Sequence, residues 1–177
     1  MDLSNTVITT KRLRLVPISE QYAADIFKEF TEEITLYMSS KAPEKIEETV
    51  EWIRSRVPSI KNGTDFPVVV LDKETGEYLG GAGAHQLDTD TPSLGIWIKK
   101  SAHGHHYGRE AVTALKEWID TYRNDYSYIS YPVDKRNISS QKIAQSLGGI
   151  IEDAYQKESK SGRVLDLVEY RIYREKK

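Results

Sequence analysis

Along this chain the apolar positions alternate with polar ones in some stretches and recur every three to four residues in others. That change of period marks out its elements. Leu13 and Leu15 alternate with Arg12 and Arg14, which predicts a strand over 11–16, ended by Pro17. Ala23, Ile26, Phe27 and Phe30 fall at helical spacing behind Ser19, a good N-cap, and predict a helix over 20–30. A second helix is expected over 44–57, with Ile46, Val50, Ile53 and Val57 on one stripe and Pro58 as its stop. Three strands follow, over 66–71, 78–87 and 94–99, separated by turn-rich segments at 72–77 and 88–92. The middle strand carries Gly80, Gly81 and Gly83, and glycine inside a strand marks a bulge or a close approach by backbone or ligand.

A strongly amphipathic helix begins near Gly108 and runs to about Tyr122, with Ala111, Leu115, Trp118 and Ile119 inward. A strand over 126–133 comes next. A helix over 137–147 then turns Ile138, Ile143, Ala144 and Leu147 inward and is closed by Gly148-Gly149. Two last strands are expected over 150–157 and 164–173. The strand–helix–strand crossover from Leu94 to Val133 implies one parallel pair inside a mostly antiparallel sheet. No repeat, low-complexity run or linker divides the chain, and its 177 residues suit one domain spanning 1–177.

Composition narrows the chemistry. With no cysteine, disulfides, thiolate metal sites and a cysteine nucleophile are excluded. A net charge of -2 argues against a nucleic-acid or membrane-surface binder. No apolar run reaches membrane-spanning length and the first residues carry no secretory pattern, so the expected compartment is the cytoplasm. Acidic residues concentrate between Glu20 and Glu51, read either as solvated helix faces or as a rim that attracts a cationic substrate.

The stretch most charged with chemistry is His103-Gly104-His105-His106-Tyr107-Gly108-Arg109-Glu110-Ala111, a glycine-bearing loop leading from a strand straight into a helix. The start of a helix offers unpaired N–H groups and the positive end of the dipole, a ready site for phosphate. Neither G-x-x-x-x-G-K-[ST] nor G-x-G-x-x-G after a strand occurs, which disfavours nucleotide hydrolysis and dinucleotide binding. Three of the four histidines, His103, His105 and His106, cluster here. Adjacent loop histidines cannot readily share one tetrahedral centre, and no H-E-x-x-H is present, so no metal site is expected.

Four pieces in order resemble the GCN5-related N-acetyltransferase superfamily, in its branch that acetylates ribosomal protein N-termini. They are Thr10-Lys11-Arg12-Leu13-Arg14-Leu15, similar to T-x-R-L-x-L, and Gly95-Ile96-Trp97-Ile98. The loop just quoted is similar to [QR]-x-x-G-x-[GA]-x-E-A, and Asn137-x-x-Ser140 before Leu147-Gly148 to N-x-x-S…L-G-F. This chain departs from the pattern with His103 for Gln or Arg, His106 for the central glycine, Gly149 for an aromatic, and Ser93 where relatives often carry a glutamate base. The resemblance implies an α+β (α/β/α sandwich) fold. Its mixed, mostly antiparallel seven-stranded sheet would splay one parallel pair at the cofactor site, beside about four helices.

It also implies acetyl-CoA as co-substrate. The main chain at Trp97 and Ile98 would meet the pantetheine arm and polarise the thioester. His103, Gly104, His105, His106, Tyr107, Gly108 and Arg109 would surround the pyrophosphate, with Asn137 touching the cofactor and Ser140 meeting the leaving thiolate.

The acceptor is a primary amine, which must be neutral to attack. Deprotonation at pH 7 costs roughly 4–5 kcal/mol for a lysine-type amine and about 1 for an α-amine. Without the glutamate, a low-pKa amine such as a peptide N-terminus is favoured, with polyamines and other small amines still open. His85 is the leading base candidate, histidine being the side chain suited to proton transfer near neutral pH. Glu169 and Asp166 are weaker candidates, and Tyr128 and Tyr131 are expected to line the acceptor pocket. The other reading is a non-catalytic acyl-CoA-binding module or sensor. The oligomeric state is open, a homodimer among the options.

Overall fold

Alternation and helical period resolve, in a computed structural model whose residues 1–174 are described, into eight strands and five α-helices. In chain order these are β1 (Ile8–Thr9), β2 (Leu13–Pro17), α1 (Ala23–Glu29), α2 (Glu32–Thr35), α3 (Ile46–Asn62), β3 (Phe66–Asp72), β4 (Tyr78–His85) and β5 (Ser93–Ile98). They continue with α4 (Tyr107–Tyr122), β6 (Tyr128–Asp134), α5 (Ile138–Ser146), β7 (Ile150–Glu158) and β8 (Val164–Tyr173). One sheet contains all strands in the order β1-β2-β3-β4-β5-β6-β8-β7. Every neighbouring pair is antiparallel except β5 and β6. The eighth strand, beyond the seven expected, is the two-residue β1, too short to leave a periodic signal.

Helices cover both faces. Ile96 and Ile98 pack toward α4 and α5, where a Cβ on Gly108 would lie 3.3 Å from Ile143, 3.5 Å from Ile96 and 3.7 Å from Ile98. Trp97, pointing to the other face, meets Phe30 at the end of α1 at 4.8 Å between ring centroids. The core runs through the sheet from Leu13 and Leu15 to Tyr170 and Ile172. No helix among the described residues is long and apolar enough to cross a membrane.

Several local expectations shift. The first helix opens as a 3-10 turn over Glu20–Tyr22, and Ser19 makes no capping bond; its hydroxyl is buried without a partner. Pro58 lies inside α3 rather than ending it. The helix continues because Ile60, 3% exposed, anchors its last turn in the core, and it closes at Gly63 with φ 75°. Its buried positions are Thr49, Ile53 and Ile60, while Ile46 and Val57 are exposed. Ile138, expected inward, is also exposed, because α5 turns Ala144 to the core.

Two features position the site. Strands β5 and β6 share a single ladder position, Ser93 opposite Ser130, and diverge beyond it. At the far end of β6, Asp134 is fully buried. Its carboxylate accepts from the main-chain N–H of Arg136 (2.9 Å) and of Asp166 (3.0 Å), and from Arg136 Nε (2.8 Å) and Nη2 (2.7 Å). Its carbonyl accepts from Asn137 N (2.9 Å), so this turn sets where α5 begins. The Arg136 guanidinium, more than offsetting burial, draws the Asp134 pKa down to about 2. A depressed folded-state pKa adds stability above the unfolded value near 4 and loses it as pH falls toward 2. Asp134→Asn is therefore expected to cost about 2–3 kcal/mol at pH 7, with the deficit against the native chain shrinking by pH 2. Urea unfolding at the two pH values measures both.

Candidate active site

The loop from β5 to α4 is clasped from β2. Glu110, in the first turn of α4, accepts hydrogen bonds from Thr10 Oγ1 (2.6 Å), Arg12 N (2.9 Å) and Arg12 Nε (2.7 Å). The other arm of Arg12 donates to the His105 carbonyl (3.0 Å), and its guanidinium lies 4.7 Å from the centre of the Tyr107 ring. Burial works to raise the Glu110 pKa, but the bonds from Thr10 and Arg12 together hold it below the usual glutamate value. The two motifs read separately in the sequence are thus one structural unit.

Held this way, the loop turns through two left-handed residues, Gly104 (φ 85°) and His106 (φ 60°). His106 therefore occupies a conformation that a glycine would adopt without strain, although histidine is among the side chains seen there. His106 is exposed rather than folded into the turn. Among the described residues, no acceptor is bonded to the amides of Gly104 through Arg109. They form a row of free donors at the positive end of α4, suited to a diphosphate. His103 Nε2 bonds to the Ile98 carbonyl (2.7 Å) and closes the end of β5, so its ring is occupied. The His105 ring stacks on Tyr107 at 5.5 Å. No group of three or more metal-ligating side chains placed to hold a metal ion occurs among the described residues.

The divergence of β5 from β6 leaves main chain free along a gap. Lys99 N bonds to Leu79 O (2.8 Å), and Gly81 lies opposite Trp97. By alternation Trp97 spends its own main-chain groups on β4, whereas those of Ile96 and Ile98 face the gap. With the Ile98 carbonyl taken by His103, the N–H groups of Ile96 and Ile98 are the free donors of β5 on the gap, and Trp97 is not among them. Across the gap, Ser140 Oγ lies 2.8 Å from the Tyr131 hydroxyl. Tyr131 is 2% exposed, and burial pushes its pKa up to about 12, so it remains a hydrogen-bond donor. The Asn137 side-chain oxygen caps α5, accepting from Ser140 N (3.2 Å) and Ser139 Oγ (3.1 Å), which leaves only its amide nitrogen for a ligand.

On the opposite face β4 and β5 floor a cavity of about 440 Å³, within the range of small-ligand sites. Glycines make the floor. A Cβ on Gly81 would lie 2.6 Å from Trp97 Nε1, and one on Gly83 2.5 Å from His85 Nε2, so two rings lie flat where side chains would stand. His85 lines this cavity and stands directly across the ladder from Ser93. Its Nδ1 is 3.4 Å from Asp65 Oδ1, which also accepts from Gln86 N (3.0 Å). The His85 ring, with help from Gln86 against burial, holds the Asp65 pKa low. Asp65 carried no motif signal in the sequence; only the fold brings it to His85.

Other candidates are elsewhere. Tyr128 packs against Tyr173 and Arg171, and Tyr131 is engaged with Ser140, so neither lines the cavity. Glu169 pairs with Arg171 (3.0 Å) and Asp166 with Lys135 (3.2 Å). In the acidic stretch Glu20, Glu29, Glu33 and Glu44 are paired with Arg54, Lys28, Lys100 and Lys41, which favours solvated helix faces over a rim for a cation.

A family model described as an acetyltransferase (GNAT) domain matches residues 12–150. An uncharacterised protein of Methanocaldococcus jannaschii is 31% identical over 109 residues, 61% of this chain and 21% of that protein, so the chain spans about a fifth of the curated relative it matches. A solved structure described as a ribosomal-protein-serine acetyltransferase from Vibrio cholerae superposes with a TM-score of 0.79 at 19% identity, over 98% of this chain and 100% of that one. RimL, a ribosomal L7/L12 alpha-N-protein acetyltransferase solved with coenzyme A, gives 0.79 at 16%, over 94% and 97%. At these identities the solved structures share the fold.

Replacing His106 by glycine removes the left-handed strain and is expected to raise the unfolding free energy by about 1 kcal/mol, read from urea denaturation. Arg12→Ala, which removes the Nε bond to Glu110 and frees the His105 carbonyl, is expected to speed amide hydrogen exchange across 104–109 while the sheet core stays protected.

Proposed function

The chain belongs to the acetyltransferase (GNAT) family, and from that premise we propose that it transfers acetyl from acetyl-CoA to a low-pKa primary amine, with a peptide α-amine as the favoured acceptor. The observation that carries this reading is the pairing of two sites on one strand. β5 borders the gap with Ile96 and Ile98 and floors the cavity with Gly95 and Trp97. A donor thioester on one side and an amine on the other would meet across it.

Acetyl-CoA supplies an acyl group activated as a thioester. The free amides from Gly104 to Arg109 would hold its diphosphate, and the Asn137 amide nitrogen would add a contact. A free N–H of Ile96 or Ile98 would stabilise negative charge building on the thioester oxygen. Beneath the acceptor, His85 Nε2 takes a proton from the amine as nitrogen bonds to the acyl carbon, and Asp65 holds the ring through Nδ1. As the carbon–sulfur bond breaks, Ser140 Oγ, oriented by Tyr131, donates a hydrogen bond to the departing thiolate, which is protonated from solvent while His85 gives the amine proton up to solvent. The products are an amide and free coenzyme A thiol. Because His85 faces Ser93 directly, an imidazole serves the place left by the missing glutamate. That answers the main support for a binder without turnover.

Incubating the protein with acetyl-CoA and a panel of amines, reading free thiol, tests the assignment. Release above the hydrolysis background is expected with at least one amine, and its absence with all of them would leave the non-catalytic reading. Ser140→Ala is expected to lower kcat about tenfold or more with coenzyme affinity retained. Asp65→Asn, which loosens the ring held through Nδ1, should lower kcat/KM, and His85→Ala should lower it further and abolish the acid limb of its pH profile.

A further inference from the structure

The charged groups lining the acceptor cavity are Lys41, Glu48, His85 and Lys160, and its walls include Phe30, Met38, Trp52 and Trp97. Glu48 is the one carboxylate in that set; its Oε2 caps α3, accepting from the main-chain N–H of Glu44 and of Lys45. Two lysines thus share the cavity lining with one carboxylate that is already engaged through one of its oxygens. The two lysines are available. Lys41 pairs only with Glu44, both side chains at least half exposed, and such a pair is readily exchanged. Lys160 is in no ion pair among the described residues. Its place is nonetheless fixed. Its main-chain N–H donates to the Ser39 carbonyl (2.9 Å), tying the β7–β8 turn to the segment between α2 and α3. The neighbouring Ser159 is buried and accepts from Arg163 N (3.1 Å).

Resting on the reading of the chain as an amine acetyltransferase, we propose that this cavity selects an amine on an apolar, preferably aromatic, body that carries one carboxylate close by. That is the chemistry of a hydrophobic α-amino acid, or of a peptide with a hydrophobic first residue and an acidic second. The aromatic walls take the body. Their faces also tolerate a single protonated amine on its way to His85. Lys160 and Lys41 take the carboxylate. A polyamine or aminoglycoside would bring two or more ammonium groups against two lysines, with only Glu48, half engaged in capping α3, to receive them.

The test compares kcat/KM at saturating acetyl-CoA for free phenylalanine, phenethylamine, glycine, spermidine and two amidated peptides, Phe-Asp-Gly-Gly and Phe-Lys-Gly-Gly, with calorimetric binding of each in parallel. Phenylalanine or the Asp peptide is expected to exceed phenethylamine and the Lys peptide at least tenfold, and glycine and spermidine a hundredfold. Which of the two leads assigns the carboxylate to the amino acid itself or to the second residue. Lys160→Glu is expected to reverse the preference between the Asp and Lys peptides, and Trp52→Ala to weaken the phenyl compounds selectively. Turnover of spermidine or glycine equal to that of phenylalanine and the Asp peptide would overturn the selection while leaving acetyl transfer intact. Selective binding without turnover of any amine would do the opposite. Absence of both binding and turnover with phenylalanine and with the Asp peptide would overturn the inference.

Discussion

A single carboxylate ties the turn between β1 and β2 to the start of α4. Glu110 receives Thr10 and both the main chain and side chain of Arg12, while the free arm of that arginine reaches the His105 carbonyl. One guanidinium therefore fixes the start of α4 and the loop before it against β2. Without that hold, a loop with two left-handed residues and a row of unbonded amides has little to keep it open. Such donors prefer water or one another to waiting for an anion.

The rest of the site depends on how β5 is used. Its alternation sends Ile96 and Ile98 to one face and Trp97 to the other, and its main chain is spent on β4 at one residue and free at the next. The parting of β5 from β6 exposes those free groups, and the glycines of β4 let two rings lie against the sheet. At the end of β6, the buried Asp134 turn places the cap of α5, and with it Ser140 beside Tyr131. A change at Asp134 would thus be felt at Ser140 and Tyr131, the pair proposed to meet the leaving group, although it touches neither.

Much of this was legible in the sequence, where one short-range rule governs the outcome. β8 occupies 164–173 as alternation predicts, β3 and α4 follow their patterns within a residue or so, and the parallel crossover is where its helix requires. The sequence showed T-x-R-L and E-A as separate marks, but not that they touch. Pro58 does not end the helix because its local cost is outweighed by the burial of Ile60 in the last turn of α3. Tyr128 and Tyr131 stand on one strand at a spacing that leaves their environments open. Only the packing of α5 against β6 gives Tyr131 to Ser140, and only β8 gives Tyr128 to Arg171. Asp65 meets His85 through a contact between residues far apart in sequence, which no periodicity encodes.

The clasp has a kinetic corollary. Arg12 and Glu110 are separated by 98 positions, and closing so long a stretch of chain is slow relative to forming a local turn. The loop proposed to cradle the diphosphate should then be among the last parts of the molecule to become competent. A nascent or partly folded chain would carry α4 without its cradle, and capture of coenzyme would report that folding is complete.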